Sequence, residues 1–121
     1  MNVLRVLHEH LADGEQLTGL EPVFFRFYDE NTQAGAADCI LFRPDGGGSP
    51  NELMQQPGIT MAACTKYPYT GYERLVAIRD YLLEHYTVPG VCNFEIMADV
   101  VGPSTLDSGR FIFELNVRAW T

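Results

Sequence analysis

The chain has 121 residues and a formal net charge of −8, and together these exclude several classes of protein. This length is typical of a single domain with one hydrophobic core. A protein whose main task is to bind nucleic acid normally has a basic face, and a pI of about 4.6 argues against one. No apolar run approaches the ~20 residues of a transmembrane helix, and no secretory signal pattern begins the chain. We therefore expect a soluble single domain, residues 1–121, with an acidic surface.

The three cysteines lie in apolar, strand-like segments. They are Cys39, Cys64 and Cys92, an odd number that does not suggest a disulfide framework. A cysteine in such a segment usually packs as a small hydrophobic residue. We interpret them as three buried, reduced thiols in a protein that folds in a cytoplasm.

The first part of the chain predicts one helix followed by two strands. Leucine and valine at helical spacing predict a helix over residues 2–13, with Asn2 as its cap and Gly14 at its end. The aromatic segment Val23–Tyr28 and the apolar segment Asp38–Arg43 are typical of strands. Because turn-forming residues separate them, we expect a β-hairpin or meander.

Residues 44–56 form a low-complexity segment with three consecutive glycines and two prolines. Glycine loses more backbone entropy than any other residue when it becomes ordered, so the segment predicts a long loop. Loops of this length are usually functional or disordered. A tolerated surface insertion is an alternative that stays open.

A strand followed by a long amphipathic helix organises the rest of the chain. Pro57–Lys66 predicts the strand, which Pro68 prevents from continuing. Thr70 and Glu73 have the spacing of a capping box, and the helix is expected over Tyr69–Tyr86. Its apolar arc, about 160° wide, must pack on a sheet. The arc consists of Tyr72, Leu75, Val76, Ile78, Leu82, Leu83 and Tyr86.

Two segments near the C-terminus alternate strictly between apolar and polar residues. Val91–Val101 and Arg110–Thr121, joined by a short loop, predict an antiparallel hairpin with one face on the core. All elements together predict an α+β fold in the order α-β-β-β-α-β-β. We expect a mainly antiparallel sheet of about four to five strands with the helices packed on one face.

No pattern of catalytic or metal-ligating residues is visible. His8 and His10 point in different directions on the predicted helix, and the cysteines lack Cys-x-x-Cys spacing. The glycines at 46–48 lack the Lys-Ser/Thr pair that follows in a phosphate-binding loop. We therefore assign no catalytic residue, no metal site and no cofactor, and expect a protein that is not an enzyme.

Arg79 interrupts the apolar arc of the long helix. A buried guanidinium without a partner is costly, so two interpretations are open. Arg79 either reaches solvent or a carboxylate such as Glu95 at the edge of the core, or its face continues into a subunit interface. Arg118 and Trp120 lie on the polar face of the predicted hairpin, and we expect Trp120 to be exposed at its end. Both are residue types enriched in interfaces, although a solvated sheet face is the commoner explanation.

Short motifs in a characteristic order extend over nearly the whole chain. An extended segment at 22–25 follows the N-terminal helix, and Ala37–Pro44 leads into the Gly-rich loop. Pro57–Met61 begins the next strand, Tyr69–Glu73 opens the long helix, and Leu115–Ala119 closes the chain in a hairpin. In this order the elements resemble the small tail-terminator, tail-completion and minor capsid proteins of long-tailed bacteriophages.

The resemblance implies a structural protein of the virion tail. Such proteins have α+β folds and assemble as hexameric rings that cap the tail tube at its head-proximal end. The implied partners are further copies of the chain, the tail tube protein and the head–tail connector proteins. DNA would pass through the ring lumen without sequence-specific binding, no membrane is involved, and assembly takes place in the host cytoplasm.

On this basis we place the Gly-rich loop at the lumen or against a neighbouring subunit. The candidate interface residues are Asp45, Asn51, Glu52, Leu53 and Met54 of the loop, together with Arg79, Arg118 and Trp120.

Two alternatives stay open. One is a head–tail adaptor or minor tail protein of the same virion, with a different neighbour. The other is a small cytoplasmic α+β enzyme or ligand-binding domain whose site is assembled from dispersed residues. A well-formed apolar pocket with converging polar groups would favour the latter.

Overall fold

In the part of the chain that the structure describes, two helices pack on one face of a six-stranded sheet. The structure is a computed structural model, and it describes residues 3–24, 38–47, 57–105 and 109–121. The helices are α1 (Val3–Asp13) and α2 (Pro68–Glu84), and the strands are β1 (Glu21–Phe24), β2 (Cys39–Gly47), β3 (Pro57–Thr65), β4 (Asn93–Ile96), β5 (Val101–Thr105) and β6 (Phe111–Trp120). The predicted α+β class is confirmed, and the order of elements agrees apart from one additional strand.

The sheet is antiparallel except at one edge. Its strand order is β1-β2-β3-β6-β4, and β5 also pairs with β6. Strand β1 runs parallel to β2, with Glu21 opposite Cys39, so the predicted hairpin or meander is wrong. Alternation and aromatic content predict that a strand exists but carry no information about its direction. The connection over residues 25–38 has the length of about a dozen residues that a parallel crossover needs.

Strands β4 and β5 lie end to end along the same edge of β6. Together they form the antiparallel partner of β6 that the alternating pattern predicts. The predicted strand Val91–Val101 is nevertheless interrupted at residues 97–100. There the Asp99 carboxylate accepts a hydrogen bond of 2.7 Å from the backbone N–H of Val100. Such local side-chain bonds compete with the ladder of a strand, which explains the break.

The hydrophobic core lies between the helices and one face of the sheet. Alternate residues of the strands point into it, and the helices contribute residues at helical spacing. Its central members are Leu4, Leu7, Leu11, Ile40, Phe42, Ile59, Met61, Leu75, Ile78, Leu82, Phe94, Phe113, Leu115 and Val117. The prediction that the helices pack on one face is confirmed.

A second, smaller buried cluster lies on the opposite face of the sheet. It includes Cys39 and Cys64, which are directly opposite each other between β2 and β3. Cys92, which immediately precedes β4, is exposed. The prediction of buried thiols is therefore right for two of the three cysteines.

Strand β2 continues into the segment predicted to be a loop. It runs to Gly47, which pairs with Pro57 after a register shift that follows Pro44. A strand can accommodate such an irregularity as a bulge when its partner continues alongside. The predicted loop 44–56 therefore begins later than expected, and residues 48–56 lie outside the described residues.

Helix α2 begins at Pro68 and does not use the predicted cap. The N-cap residue is Tyr67, which forms no side-chain capping bond. Proline is suited to the first helical position because no backbone N–H has to be satisfied there. The predicted capping box of Thr70 and Glu73 is therefore wrong, since both residues lie inside the helix, which ends at Glu84.

Helix α1 ends in a Schellman motif whose left-handed residue is Glu15. The N–H of Gln16 donates to the carbonyl of Leu11 at 2.9 Å, as this motif requires. Glu15 has a φ of 60°, where glycine is usual. The predicted closing residue, Gly14, precedes it and lies so close to the ring of Tyr81 that a β-carbon would overlap the ring.

Candidate functional site

A small pocket lies between α2 and the loop that follows α1. Its volume is about 280 Å³, and it is lined by Thr18, Gly19, Leu20, Thr70, Glu73, Arg74 and Ala77. The lining offers threonine hydroxyls and the carboxylate of Glu73, but it contains no histidine, cysteine or lysine. In the described ranges, no group of three or more His, Cys, Asp or Glu residues could hold a metal ion.

The apolar arc of α2 divides into a buried row and an exposed row. Leu75, Ile78 and Leu82 are buried against the sheet. Tyr72 and Leu83, by contrast, are 45% and 60% exposed. The expectation that the whole arc packs on the sheet is therefore wrong for its outer half. At ~100° per residue, this outer half lies about 90° around the helix from the buried row. It faces the sheet edge formed by β4 and β5. No other described element covers it there.

We refer to the exposed row as the α2 stripe. It consists of the exposed side chains of Tyr69, Tyr72, Leu83 and, just past the end of the helix, Tyr86, with the half-buried Val76 between them. The ring of Tyr72 packs on Phe113 of β6, with 5.6 Å between their centres, and so anchors one end of the stripe to the sheet. Tyr69 is 75% exposed and Tyr86 is 52% exposed.

Arg79 lies in the middle of the α2 stripe and is bound within the same molecule. Its Nη1 donates to Asp99 Oδ1 at 2.6 Å, and its Nε and Nη2 donate to Asp80 Oδ1 at 3.1 and 3.0 Å. These bonds raise the pKa of Arg79, and the bond from Arg79 lowers the pKa of Asp99. Arg79 therefore reaches carboxylates at the edge of the core, as the first interpretation has it, although its partners are Asp80 and Asp99 and not Glu95. A role for Arg79 between subunits stays a prediction.

Arg118 and Trp120 lie on the opposite face of the sheet from the helices. The Nε1 of Trp120 donates to Glu95 Oε2 at 2.7 Å, so this side chain is half-buried and bonded where exposure was predicted. The Nε of Arg118 is buried and has no hydrogen-bond partner among the described residues. Because α2 covers the other face, the structure does not bring Arg79 together with Arg118 and Trp120.

The remaining predicted interface residues belong to the Gly-rich segment. Asp45 lies in β2, and only its backbone is described. Asn51, Glu52, Leu53 and Met54 lie outside the described residues.

Asp38 connects three elements and was not singled out from the sequence. Its Oδ1 accepts hydrogen bonds from the backbone N–H of Lys66 at 3.0 Å and from Arg110 Nη1 at 3.1 Å. Its carbonyl accepts a bond of 2.9 Å from the N–H of Glu21. A single aspartate before a strand carries no sequence signal for such a role, because its partners are far away in the chain.

The side chain of His10 connects the two helices. The sequence did not predict this contact. Its Nε2–H donates to the carbonyl of His85 at 2.7 Å, just past the end of α2. Its ring also packs against those of Tyr81 and Phe94. The contact fixes the C-terminal ends of α1 and α2 relative to each other.

Comparison with protein families identifies the class to which this fold belongs. A family model described as phage tail termination protein matches residues 4–121. The chain belongs to this family. The match covers nearly the whole chain, and it confirms the resemblance to phage tail-terminator proteins that the order of the motifs indicates. A comparison with curated proteins gives no match.

A phage tail termination protein is a structural component of the virion tail. Its function therefore depends on surfaces that meet other proteins more than on an enclosed pocket. In the described part of the chain, neither helix is long and apolar enough to cross a membrane. The α2 stripe and the polar sheet face around Arg118 are the surfaces to consider for contact with other proteins.

Proposed function

We propose that this protein caps the end of a phage tail tube as a homo-oligomeric ring. The ring stops growth of the tube and provides the surface to which the head attaches. The observation that carries the proposal is the match to the tail termination family over residues 4–121. The exposed tyrosine side chains of the α2 stripe support it, because tyrosine is enriched where proteins meet.

The partners proposed are further copies of the chain, six in a ring, the tail tube protein and the head–tail connector proteins. The ring sits at the head-proximal end of the tail and is assembled in the host cytoplasm. The formal charge of −8 supports a lumen through which DNA passes without being held, since an acidic protein repels the phosphate backbone.

The two alternatives receive less support. A head–tail adaptor or minor tail protein of the same virion would have a different neighbour, whereas the matching family is described by termination of the tail. An enzyme or ligand-binding domain would be favoured by an apolar pocket with converging polar groups. The pocket beside α2 is lined by Leu20 and Ala77 together with a carboxylate, a guanidinium and two threonines, so the support it gives this alternative is weaker than that of a family match over nearly the whole chain.

Assembly of tail tubes in the presence of the purified protein tests the proposal. Tube protein alone is expected to give tubes of widely varying length. With this protein added, we expect shorter tubes of uniform length with ring-shaped density at one end in electron micrographs. Heat-denatured protein is the control. Unchanged tube lengths together with bare tube ends would contradict the proposal.

A further inference from the structure

The α2 stripe is a large apolar surface for a chain of this size. At ~200 Å² for a whole aromatic side chain, the exposed parts of its three tyrosines amount to roughly 350 Å². Leu83, Met97 and Val101, which are 60%, 43% and 58% exposed, extend the surface towards the sheet edge. The largest apolar patch on a typical monomer measures about 300–600 Å² and is often functional. The α2 stripe falls in this range, which makes it a candidate surface for an occupant.

The occupant does not add a strand to the neighbouring edge of the sheet. All five residues of β5 are exposed, so this edge is accessible. Pro103 has no N–H to donate, and the register shifts between Val101 and Ser104. Proline and bulges are the means by which natural sheets block edge-to-edge pairing. Contact along β5 must therefore be made by side chains.

The opposite flank of α2 carries the pocket of about 280 Å³. At ~100° per residue, the α2 residues that line it lie about 135° around the helix from the α2 stripe. Leu20 and Ala77 provide apolar walls, and Glu73 and Arg74 provide charged groups. This combination suits a tyrosine, whose ring packs on apolar atoms while its hydroxyl needs a polar partner.

We propose that the α2 stripe of one copy docks on the opposite flank of α2 in the next copy, with a tyrosine of the stripe in the pocket. The inference rests on the ring of the proposed function and names the surfaces that build it. Two different surfaces on opposite flanks of one element form a head-to-tail contact, which closes into a ring when the rotation between copies permits.

The size and charge of the α2 stripe both fit a second copy as the occupant. A standard interface buries about 800 Å² on each partner, and the tyrosines alone supply a little under half of that. Arg79, at the centre of the stripe, is already bonded to Asp80 and Asp99. Docking therefore covers a guanidinium that already has carboxylate partners and avoids the cost of burying an unpaired cation.

Two variants, each blocking one of the two surfaces, test the contact. Leu83→Glu places a charge in the α2 stripe and leaves the pocket intact. Thr70→Trp fills the pocket and leaves the stripe intact. Ala12→Glu, on the exposed side of α1, is the matched control for an added charge. Circular dichroism and thermal unfolding establish that each variant is folded, and Leu83→Met, which keeps the surface apolar, should behave as wild type.

Light scattering then measures the mass of each variant alone and of the two in equal amounts. We expect wild type, Ala12→Glu and Leu83→Met to form rings, on tubes if not alone, and each blocking variant to remain monomeric. The mixture should give a dimer and nothing larger, because only one pair of intact surfaces exists between the two variants. That dimer is the signature of a head-to-tail contact.

The other outcomes overturn the inference in different ways. Rings formed by either blocking variant would place the subunit interface elsewhere and leave the proposed function intact. Monomers in the mixture, under conditions in which wild type forms rings, would show that the stripe and the pocket do not bind each other. Wild-type monomers that bind tubes through the α2 stripe would assign the stripe to the tube protein. Wild-type protein that neither associates nor binds tubes would contradict the proposed function itself.

Discussion

Single polar residues connect parts of this fold that are far apart in the sequence. Asp38 links β1, the end of β3 and the start of β6, and His10 links the two helices. Arg79 links α2 to the turn between β4 and β5 through Asp99. Each of these side chains has its partner within the molecule, so the fold does not require another copy in order to satisfy them.

The Arg79–Asp99 pair gives a prediction about pH. Because the pKa of Asp99 is lowered in the folded state, its charge stabilises the fold above the ordinary aspartate pKa. That contribution is lost as the pH falls through the folded-state pKa. Asp99→Asn should therefore lower the free energy of unfolding slightly at neutral pH and have no effect in acid. Denaturant unfolding at a series of pH values measures this difference.

The control for Asp99→Asn is Asp13→Asn at the C-terminal end of α1. A negative charge is unfavourable at that end of a helix, so its removal should cause no loss of stability at neutral pH. A difference between wild type and Asp99→Asn that stays the same from neutral to acidic pH would contradict the role assigned to the Asp99 charge.

The three cysteines should differ in reactivity. A hydrogen bond to Cys64 and burial raise the pKa of the Cys39 thiol far above its ordinary range, so this thiol stays protonated and unreactive. Cys92 is exposed. A chromogenic thiol reagent should therefore titrate one thiol rapidly in the folded protein and three after denaturation. Cys92→Ser should abolish the rapid reaction; a rapid reaction that persists in this variant would contradict the assignment.

At the scale of elements, the C-terminal end of α1 offers a stabilising substitution. Glu15 has a φ of 60°, which costs an L-residue about 1–2 kcal/mol and costs glycine very little. Glu15→Gly should raise the free energy of unfolding by about 0.5–1 kcal/mol, after the greater flexibility of glycine in the unfolded chain is counted. The same substitution inside α1, Glu9→Gly, should lower it by about 1 kcal/mol. An equal fall in the free energy of unfolding of both variants would contradict the assignment of Glu15 to the left-handed position of the Schellman motif.

The close approach of α2 to the sheet depends on Gly71. A β-carbon there would lie 2.9 Å from the Thr65 hydroxyl, which donates to the carbonyl of Tyr67, and 3.4 Å from the ring of Phe113. Overpacking of this kind costs about 1–3 kcal/mol, more than the ~1 kcal/mol that alanine contributes to helix propensity. Gly71→Ala should therefore destabilise the protein by up to about 2 kcal/mol in thermal or denaturant unfolding.

The double variant Thr65→Ala with Gly71→Ala separates crowding from other effects. If the clash with Thr65 is the cause, the loss on adding Gly71→Ala should be much smaller in the Thr65→Ala background. An equal loss in both backgrounds would show that the packing of α2 does not depend on this contact.

The sequence was sufficient to predict the helices and strands that bury one face. It was not sufficient to predict which elements lie next to one another. The alternation of β6 and the leucines of α1 each follow from one buried face, and both elements occur where the pattern predicts them. The parallel direction of β1, the break between β4 and β5 and the exposed half of the α2 arc depend on what lies beside them. The carboxylate of Asp99 likewise reaches Arg79 only because a turn in the sheet edge places it there.

At the scale of the whole molecule, the fold separates two kinds of surface. One face of the sheet is covered by α1 and α2, and the other presents the polar side chains of β6 around Arg118 and Trp120. The α2 stripe lies at the side, next to the edge formed by β4 and β5. A subunit of this shape can meet neighbours through its sides and a tube or connector through its faces.

The solution mass of the purified wild-type protein tests the central claim most directly. Light scattering at low and high concentration, with and without tail tubes, measures whether the 13.6 kDa chain associates. We predict that the protein assembles to a mass close to six times that of the chain, either when it is concentrated or when tail tubes are added. A mass of one chain that does not change with concentration or with tubes would contradict the claim that this protein works as a ring.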